Sequence, residues 1–376
     1  MKRRVVFWQT VLTPHMLYLA EELTGYGCDV SFVSHDEMTS DRLQQGWSPA
    51  EPRSVDCDVA RSRTDVSRVI QRCGVHAVHI VQGLRRNGFM EYVRSELKRT
   101  GATWGAVMEG VDVRFGASIL KGCLYRLAVL RRQNQPRFVL AIGEGTREWI
   151  SGRGYPASRV FPFAYFISPH QHHLQGSGRK GRSRIVFVGS NIPLKRLSML
   201  VDVLCEIRYL SFEFVAIGAG TEVGRSIDKA VQILGRDRVE VHGAVPMERA
   251  RAIMSSCDLL VLPSSHDGWG VVASEALVAG VAVICSDRCG CRGVVRASGV
   301  GGVFDAESRQ SLLGLVRREI LLGQRPAVER SRIAEWAECL TAPAGAGYLV
   351  DLLKHVVDGV ACPRPPWIEG PTSGSA

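Results

Sequence analysis

Short apolar runs alternate with stretches of helical spacing twice along this 376-residue chain, once before residue 168 and again after residue 184. Residues 5–8 read as a strand, 14–24 place Met16, Leu19, Ala20 and Leu23 on one helical face, and 29–34 return as a strand. Further strands are predicted at 75–81, 104–108 and 138–142, with helices at 89–99 and 117–131. The second series has strands at 184–188, 212–217, 239–241, 259–262 and 281–285, and helices at 196–208, 227–234, 246–256 and 272–279. A strand that crosses over through a helix to its parallel neighbour, repeated in this way, builds a doubly wound α/β sheet. Two such sheets are expected, in domains 1–168 and 184–330, joined by a linker at 169–183 where Pro169, three histidines and Gly176, Gly178 and Gly181 break the hydrophobic period. Beyond Phe304 the pattern turns helical, at 308–321, 330–340 and 348–357. The helices within 331–361 are expected to pack back on the first domain, and the Pro-rich tail 362–376 is expected not to fold.

Composition excludes several other classes. Hydrophobic residues at 45% and charged residues at 22% match a soluble globular chain, and the length suits two cores. The longest apolar stretch, 271–285, is interrupted by Ser274 and Glu275, so no spanning helix is predicted. The basic start at Lys2, Arg3 and Arg4 runs into Gln9, Thr10 and Thr13 without a cleavage site, which argues against secretion. Eleven scattered cysteines suit reduced thiols in the cytoplasm. Neither Cys289-Gly-Cys291 nor His170-Gln-His172-His173 has the paired spacing of a zinc site, so no metal is expected.

The net charge of +10 is lopsided: residues 1–180 hold 25 Lys/Arg against 16 Asp/Glu, and the remainder 22 against 21. That field suits an anionic partner such as a membrane face or a phosphate-linked carrier, although a solvated basic surface gives the same count. Nucleic acid is not expected, since no recognition motif accompanies the charge. Residues 117–132 could add a basic amphipathic face, with Ile119, Leu120, Cys123, Leu124, Leu127 and Leu130 apolar and Lys121, Arg126, Arg131 and Arg132 basic; Arg85 and Arg86 would extend it. An ordinary packed helix is the plainer alternative.

The segment 262–286, LPSSHDGWGVVASEALVAGVAVICS, reads as strand, Gly-bearing turn, helix and strand. Backbone N–H groups at such a helix start, with the positive end of its dipole, suit a diphosphate, and Gly268 and Gly270 let the main chain come close. Asp267 and Glu275 are eight residues apart, so they face different parts of a bound molecule rather than forming one acid–base pair; capping and a solvated face are the alternatives. Gly189, Ser190, Lys195 and Arg196 follow the strand at 184–188, and Gly218 and Gly220 follow the strand at 212–217.

Segment 262–286 resembles the signature of the family-four (group 1) retaining glycosyltransferases of the GT-B fold, whose pattern is an acid, seven residues and Glu set among glycines. The resemblance implies two Rossmann-like domains facing across a cleft, with the second holding a nucleotide diphosphate sugar, UDP- or GDP-linked, and no metal or other cofactor. It assigns Glu275 to the ribose hydroxyls, Asp267 to the transferred sugar, and Gly268, Trp269, Gly270 and Val271 to the donor turn. Asp267 stands where the family has Glu. FVGSNIPLK, residues 187–195, is similar to the family's phosphate segment, with Lys195 on its Lys position, Ser190 in place of its Arg, and Arg196 as a candidate substitute. Gly218 and Gly220 look like its Gly-rich turn near the pyrophosphate, and His242 lies where relatives contact the base. In the first domain the acceptor would be met by Thr13 or His15, and Glu109 takes a position where relatives tend to have His, suited to orienting an acceptor hydroxyl. The expected activity is retaining hexosyl transfer to a hydroxyl acceptor, lipid-linked in one reading, in cell-surface glycan biosynthesis at the cytoplasmic face of a membrane. The alternative is a non-catalytic protein that binds a nucleotide sugar or a surface.

Overall fold

The computed structural model describes residues 3–36, 51–84, 88–110, 126, 136–168, 181–190, 192–220 and 223–369. These fall into two compact units, residues 3–168 with 341–366 and residues 181–340 with 367–369. In chain order the first part contains β1 (Arg4–Val11), α1 (Pro14–Gly25), β2 (Asp29–Asp36), β3 (Asp56–Val59), α2 (Arg63–Cys73), β4 (Val78–Gln82), α3 (Gly88–Thr100), β5 (Thr103–Glu109), β6 (Val139–Ile142), α4 (Thr146–Ser151) and β7 (Val160–Phe163). The second contains β8 (Ser183–Val188), α5 (Leu197–Glu206), β9 (Phe212–Ile217), α6 (Val223–Leu234), β10 (Val239–His242), α7 (Met247–Ser255), β11 (Leu259–Leu262), α8 (Val271–Val278), β12 (Ala282–Ser286), α9 (Arg292–Ser298), β13 (Gly301–Phe304), α10 (Arg309–Leu322) and α11 (Ala327–Ala337). Then come α12 (Ala342–Asp358) and the short α13 (Pro366–Glu369).

The first unit's sheet runs β3-β2-β1-β4-β5-β6-β7, with every pairing parallel. Alternate residues of β1 serve opposite faces. Val6 and Trp8 join Val66, Val69 and Ile70 of α2 and Met90, Val93 and Leu97 of α3 in one core cluster. On the other face Phe7 stacks on Phe32 with ring centroids 6.0 Å apart. Helix α12 belongs to this unit: its start is tied by the Ala342 N–H donating to the Ile167 carbonyl at 2.7 Å, and Tyr348 donates to the Pro162 carbonyl at 2.9 Å. The second unit's sheet runs β10-β9-β8-β11-β12-β13, again all parallel. Ile185, Phe187, Phe214 and Ile284 bury against Leu200 and Leu204 of α5, Ile227 and Ala230 of α6, and Leu312 and Val316 of α10.

In both sheets the strand order reverses direction once, between β1 and β4 and between β8 and β11. At such a switch point the two flanking loops leave the C-terminal edge toward opposite faces and open a crevice between them, which is where α/β sheets bind ligands. The first switch point brings the Thr10 N–H and hydroxyl onto Gln82 Oε1, at 2.8 and 2.6 Å.

Three expectations change. The helix expected from residue 196 is preceded by a 3-10 turn, Pro193–Lys195, and begins only at Leu197, because Arg196 adopts a left-handed conformation with φ 51°. The tail is ordered as far as α13, where Trp367 packs 6.3 Å from Trp269, centroid to centroid. Strands β3, β7 and β13 were not expected. The amphipathic stretch 117–132 apart from Arg126, together with Arg85, Arg86, the linker histidines and residues 370–376, lies outside the described residues. No helix among the described residues is long and apolar enough to cross a membrane.

Candidate active site

The second unit's switch point joins the loop after β8, residues 189–196, to the loop after β11, residues 263–270. Ser265 donates its N–H to the Leu194 carbonyl at 2.9 Å and its hydroxyl to the same oxygen at 3.2 Å. This clasp sets the two charged side chains together: Lys195 Nζ lies 2.6 Å from Asp267 Oδ2, with both side chains largely sheltered. The 3-10 turn and the left-handed Arg196 that follows place Lys195 ahead of α5 rather than on it.

Asp267 is held from both sides. Its N–H donates to the Arg288 carbonyl at 3.2 Å and its carbonyl accepts the Gly290 N–H at 2.9 Å, so the turn after β11 pairs with the segment after β12. Gly290 has to be a glycine, because a Cβ there would lie 1.9 Å from the Gly268 carbonyl oxygen. Gly270 is the N-cap of α8, with φ 88°, a conformation that favours glycine. Beneath the turn Cys289 and Cys291 are buried. Among the described residues no group of three or more His, Cys, Asp or Glu could hold a metal ion.

Glu275 lies one turn into α8, buried, and accepts from Arg251 Nε at 2.8 Å. Burial raises its carboxyl above the ordinary range, and the charge and hydrogen bond of Arg251 act against that rise. The acids of the motif therefore have separate cationic partners, Lys195 for Asp267 and Arg251 for Glu275. Arg251 escaped the sequence reading: the contact is tertiary, 24 residues away along the chain, and a basic residue on α7 carries no local signal.

The Gly-rich turns also meet here. Gly218 follows β9 with φ 128°, and a Cβ there would come 2.0 Å from the Gly189 carbonyl oxygen. The Gly218 N–H donates to the His242 carbonyl at 3.0 Å and to the Gly243 carbonyl at 3.1 Å. Gly220 completes that turn and Ser190 follows Gly189, half-buried. His242 is hydrogen-bonded through Nε2 to Glu240 Oε1 at 2.7 Å. Burial raises the Glu240 carboxyl, but His242 and the Arg184 charge outweigh it and the net shift is downward.

Two candidates are otherwise engaged. Arg196 donates to the Ala306 carbonyl at 2.6 Å, and its guanidinium approaches Glu307 to 3.9 Å. The Trp269 side chain is buried and donates to Ser274 Oγ at 3.1 Å, so it braces the turn from within. Val271 is the first residue of α8. In the first unit, Thr13 is the N-cap of α1 and makes no side-chain capping bond, His15 is buried with its ring 6.0 Å from Tyr165, and Glu109 ends β5 exposed.

Residues 172–333 match the model of the family described as glycosyl transferases group 1. An uncharacterized glycosyltransferase of Methanocaldococcus jannaschii is 28% identical over 163 residues, 41% of this chain and 45% of that protein. An MMP alpha-(1->4)-mannosyltransferase of Mycolicibacterium hassiacum is 25% identical over 134 residues, 32% of this chain and 33% of that protein. The chain thus spans less than half the length of the curated relatives it matches. Among solved structures, Anabaena HepE in complex with UDP superposes with a TM-score of 0.71 at 13% identity, over 94% of this chain and 100% of that one. The same protein in complex with UDP-glucose gives 0.66 at 13%, over 93% and 99%. The fold is the two-sheet α/β architecture of GT-B glycosyltransferases. The loops bearing Gly189, Lys195, Asp267 and Glu275 and the Gly-bearing start of α8 all lie inside the matched segment, so residues 172–333 of this chain are similar to the glycosyl transferases group 1 family.

Proposed function

We propose that the protein is a retaining glycosyltransferase that moves a hexose-type sugar from a nucleotide diphosphate sugar to a hydroxyl acceptor. The observation that carries this reading is the convergence of Lys195 and Asp267 at the switch point where α8 opens at Gly270. A diphosphate placed there meets the backbone amides and the positive end of the α8 dipole, and exchanges with Asp267 for the Lys195 ammonium. As the sugar–oxygen bond breaks, charge grows on the departing diphosphate, and Lys195 with the helix start offsets it without a metal. Asp267, released from Lys195, contacts the transferred sugar, and Glu275 receives the ribose hydroxyls. Gly189, Ser190, Gly218, Gly220, Gly268 and Val271 shape the walls, and Trp269 fixes the turn from behind. Arg196 contributes through the loop at Ala306 that it holds.

The HepE complexes support UDP-glucose as the first donor to test, and the mannosyltransferase relative supports a nucleotide-linked mannose as the second. The first unit is the acceptor side, with Thr13 and Glu109 at the ends of β1 and β5 and His15 in support. Its excess of basic residues suits a lipid-linked or otherwise anionic acceptor presented at the cytoplasmic face of a membrane, as in cell-surface glycan synthesis.

The test is turnover of a nucleotide-sugar panel, with nucleoside diphosphate release measured and the anomeric configuration of the product read by NMR. Release from one donor with a retained anomer is expected. Saturable binding with neither hydrolysis nor transfer across varied acceptors would identify a binding protein instead, and an inverted product would remove the retaining mechanism.

A further inference from the structure

Glu275 is buried on the first turns of α8, and Arg251 is the one charge among the described residues that bears on it. The contact is one-sided: Arg251 Nε donates to Oε1 at 2.8 Å, and the second oxygen of Glu275 accepts no hydrogen bond from the described residues. The pair is sheltered, with 17% of the Arg251 side chain and 9% of the Glu275 side chain exposed. A buried ion pair adds little to stability over apolar residues of the same size, so stability alone does not account for it. Position supplies the remaining argument. Glu275 is four residues beyond the start of α8, about 6 Å along the axis at the helical rise, a span comparable to that between a diphosphate and the hydroxyls of its own ribose.

We infer that Arg251 is a positioning residue for ribose recognition, fixing one oxygen of Glu275 so that the other is presented to the vicinal hydroxyls of the donor nucleotide. The inference rests on the donor-site reading above. Without Arg251 the buried carboxylate loses both its compensating charge and the hydrogen bond that fixes it, and with them the oriented acceptor that separates a ribonucleotide from its deoxy counterparts. On this reading Arg251 acts on the nucleotide through Glu275, so its effect falls on discrimination at the ribose.

The test is calorimetric titration of the full chain with UDP and GDP and with their 2′,3′-dideoxy forms, in wild type, Arg251→Met and Arg251→Lys, with Arg251→Gln as a second uncharged variant should the methionine form not fold. Hydrogen bonds to a charged group correspond to a preference on the order of 10- to 100-fold, expected in wild type and retained in Arg251→Lys. In Arg251→Met or Arg251→Gln the ratio is expected to fall to within about threefold, mainly through weaker binding of the ribo form. An uncharged variant that keeps the wild-type ratio, or weakens both forms equally, overturns the inference while leaving the donor site standing. Equal binding of both forms by wild type removes Glu275 from the ribose and the inference with it. If wild type binds neither nucleotide, the donor-site reading itself fails.

Discussion

Lys195 and Asp267, 72 residues apart in sequence, meet at 2.6 Å where the loops after β8 and β11 are clasped together. The pair holds Lys195 against a carboxylate, so on the proposed reading a bound diphosphate competes with Asp267 for the ammonium. Asp267→Asn removes that competition and one negative charge near the bound phosphates. At an effective dielectric near 20 the change is worth on the order of 1–2 kcal/mol, so nucleoside diphosphate affinity should rise about tenfold while turnover falls about 100-fold. Calorimetry with UDP and GDP beside initial-rate assays measures both, and weaker nucleotide binding in the variant would contradict the competition.

Gly218 is packed against Gly189 so closely that no side chain fits, and its φ of 128° excludes one independently. Gly218→Ala is expected to destabilise the second unit by about 2–4 kcal/mol through strain and displacement of the Gly189 strand end. Urea unfolding followed by circular dichroism checks this, and a loss below about 0.5 kcal/mol would show that the two turns are free to separate.

Much of this arrangement was legible in the sequence because a parallel strand covered on both faces is an unbroken apolar run. Val-Val-Phe-Trp at 5–8 and Leu-Leu-Val-Leu at 259–262 could be read that way. The three strands that were missed, β3, β7 and β13, are all sheet edges. Asp-Cys-Asp-Val in β3 is too polar, Pro162 interrupts β7, and two glycines open β13, features that edges tolerate. Within the site, the glycines and acids were visible because local chemistry demands them. Arg251 and the Lys195–Asp267 contact were not, because both pairings are made by the sheet order. Trp367 lay in a segment whose composition argued for disorder; its aromatic contact with Trp269 is invisible to composition.

His79 is fully buried on β4, and Trp8 Nε1 donates to its Nδ1 at 3.0 Å. Burial pushes its pKa down to about 4, below the ordinary 6.5, so the folded state keeps it neutral. The unfolded chain binds a proton below pH 6.5 that the folded chain does not, so its contribution is complete above that pH and is lost as pH falls toward 4. The full swing is about 3 kcal/mol. Urea unfolding at pH 7 and pH 4.5 should show a smaller acid loss in His79→Asn, by about 2 kcal/mol, than in wild type. Equal losses in the two proteins would contradict it.

Trp367 packs on Trp269, whose side chain braces the turn that opens α8. Trp367→Ala should lower stability of the second unit by about 1 kcal/mol, the worth of an aromatic pair beyond its area, and weaken nucleotide binding severalfold. Thermal melting with and without UDP or GDP measures both. Wild-type nucleotide affinity in this variant would show that the tail is not part of the brace.

In the proposed function the turn between β11 and α8, with Lys195, holds the diphosphate of a sugar nucleotide. Thermal unfolding of wild type and Lys195→Ala across a panel of nucleotide sugars tests it directly. One donor at about 100-fold over its dissociation constant should stabilise wild type by about 2.7 kcal/mol, and the same concentration should leave Lys195→Ala nearly unshifted with its fold intact. No stabilisation of wild type by any donor, or equal stabilisation of both proteins, would contradict the account.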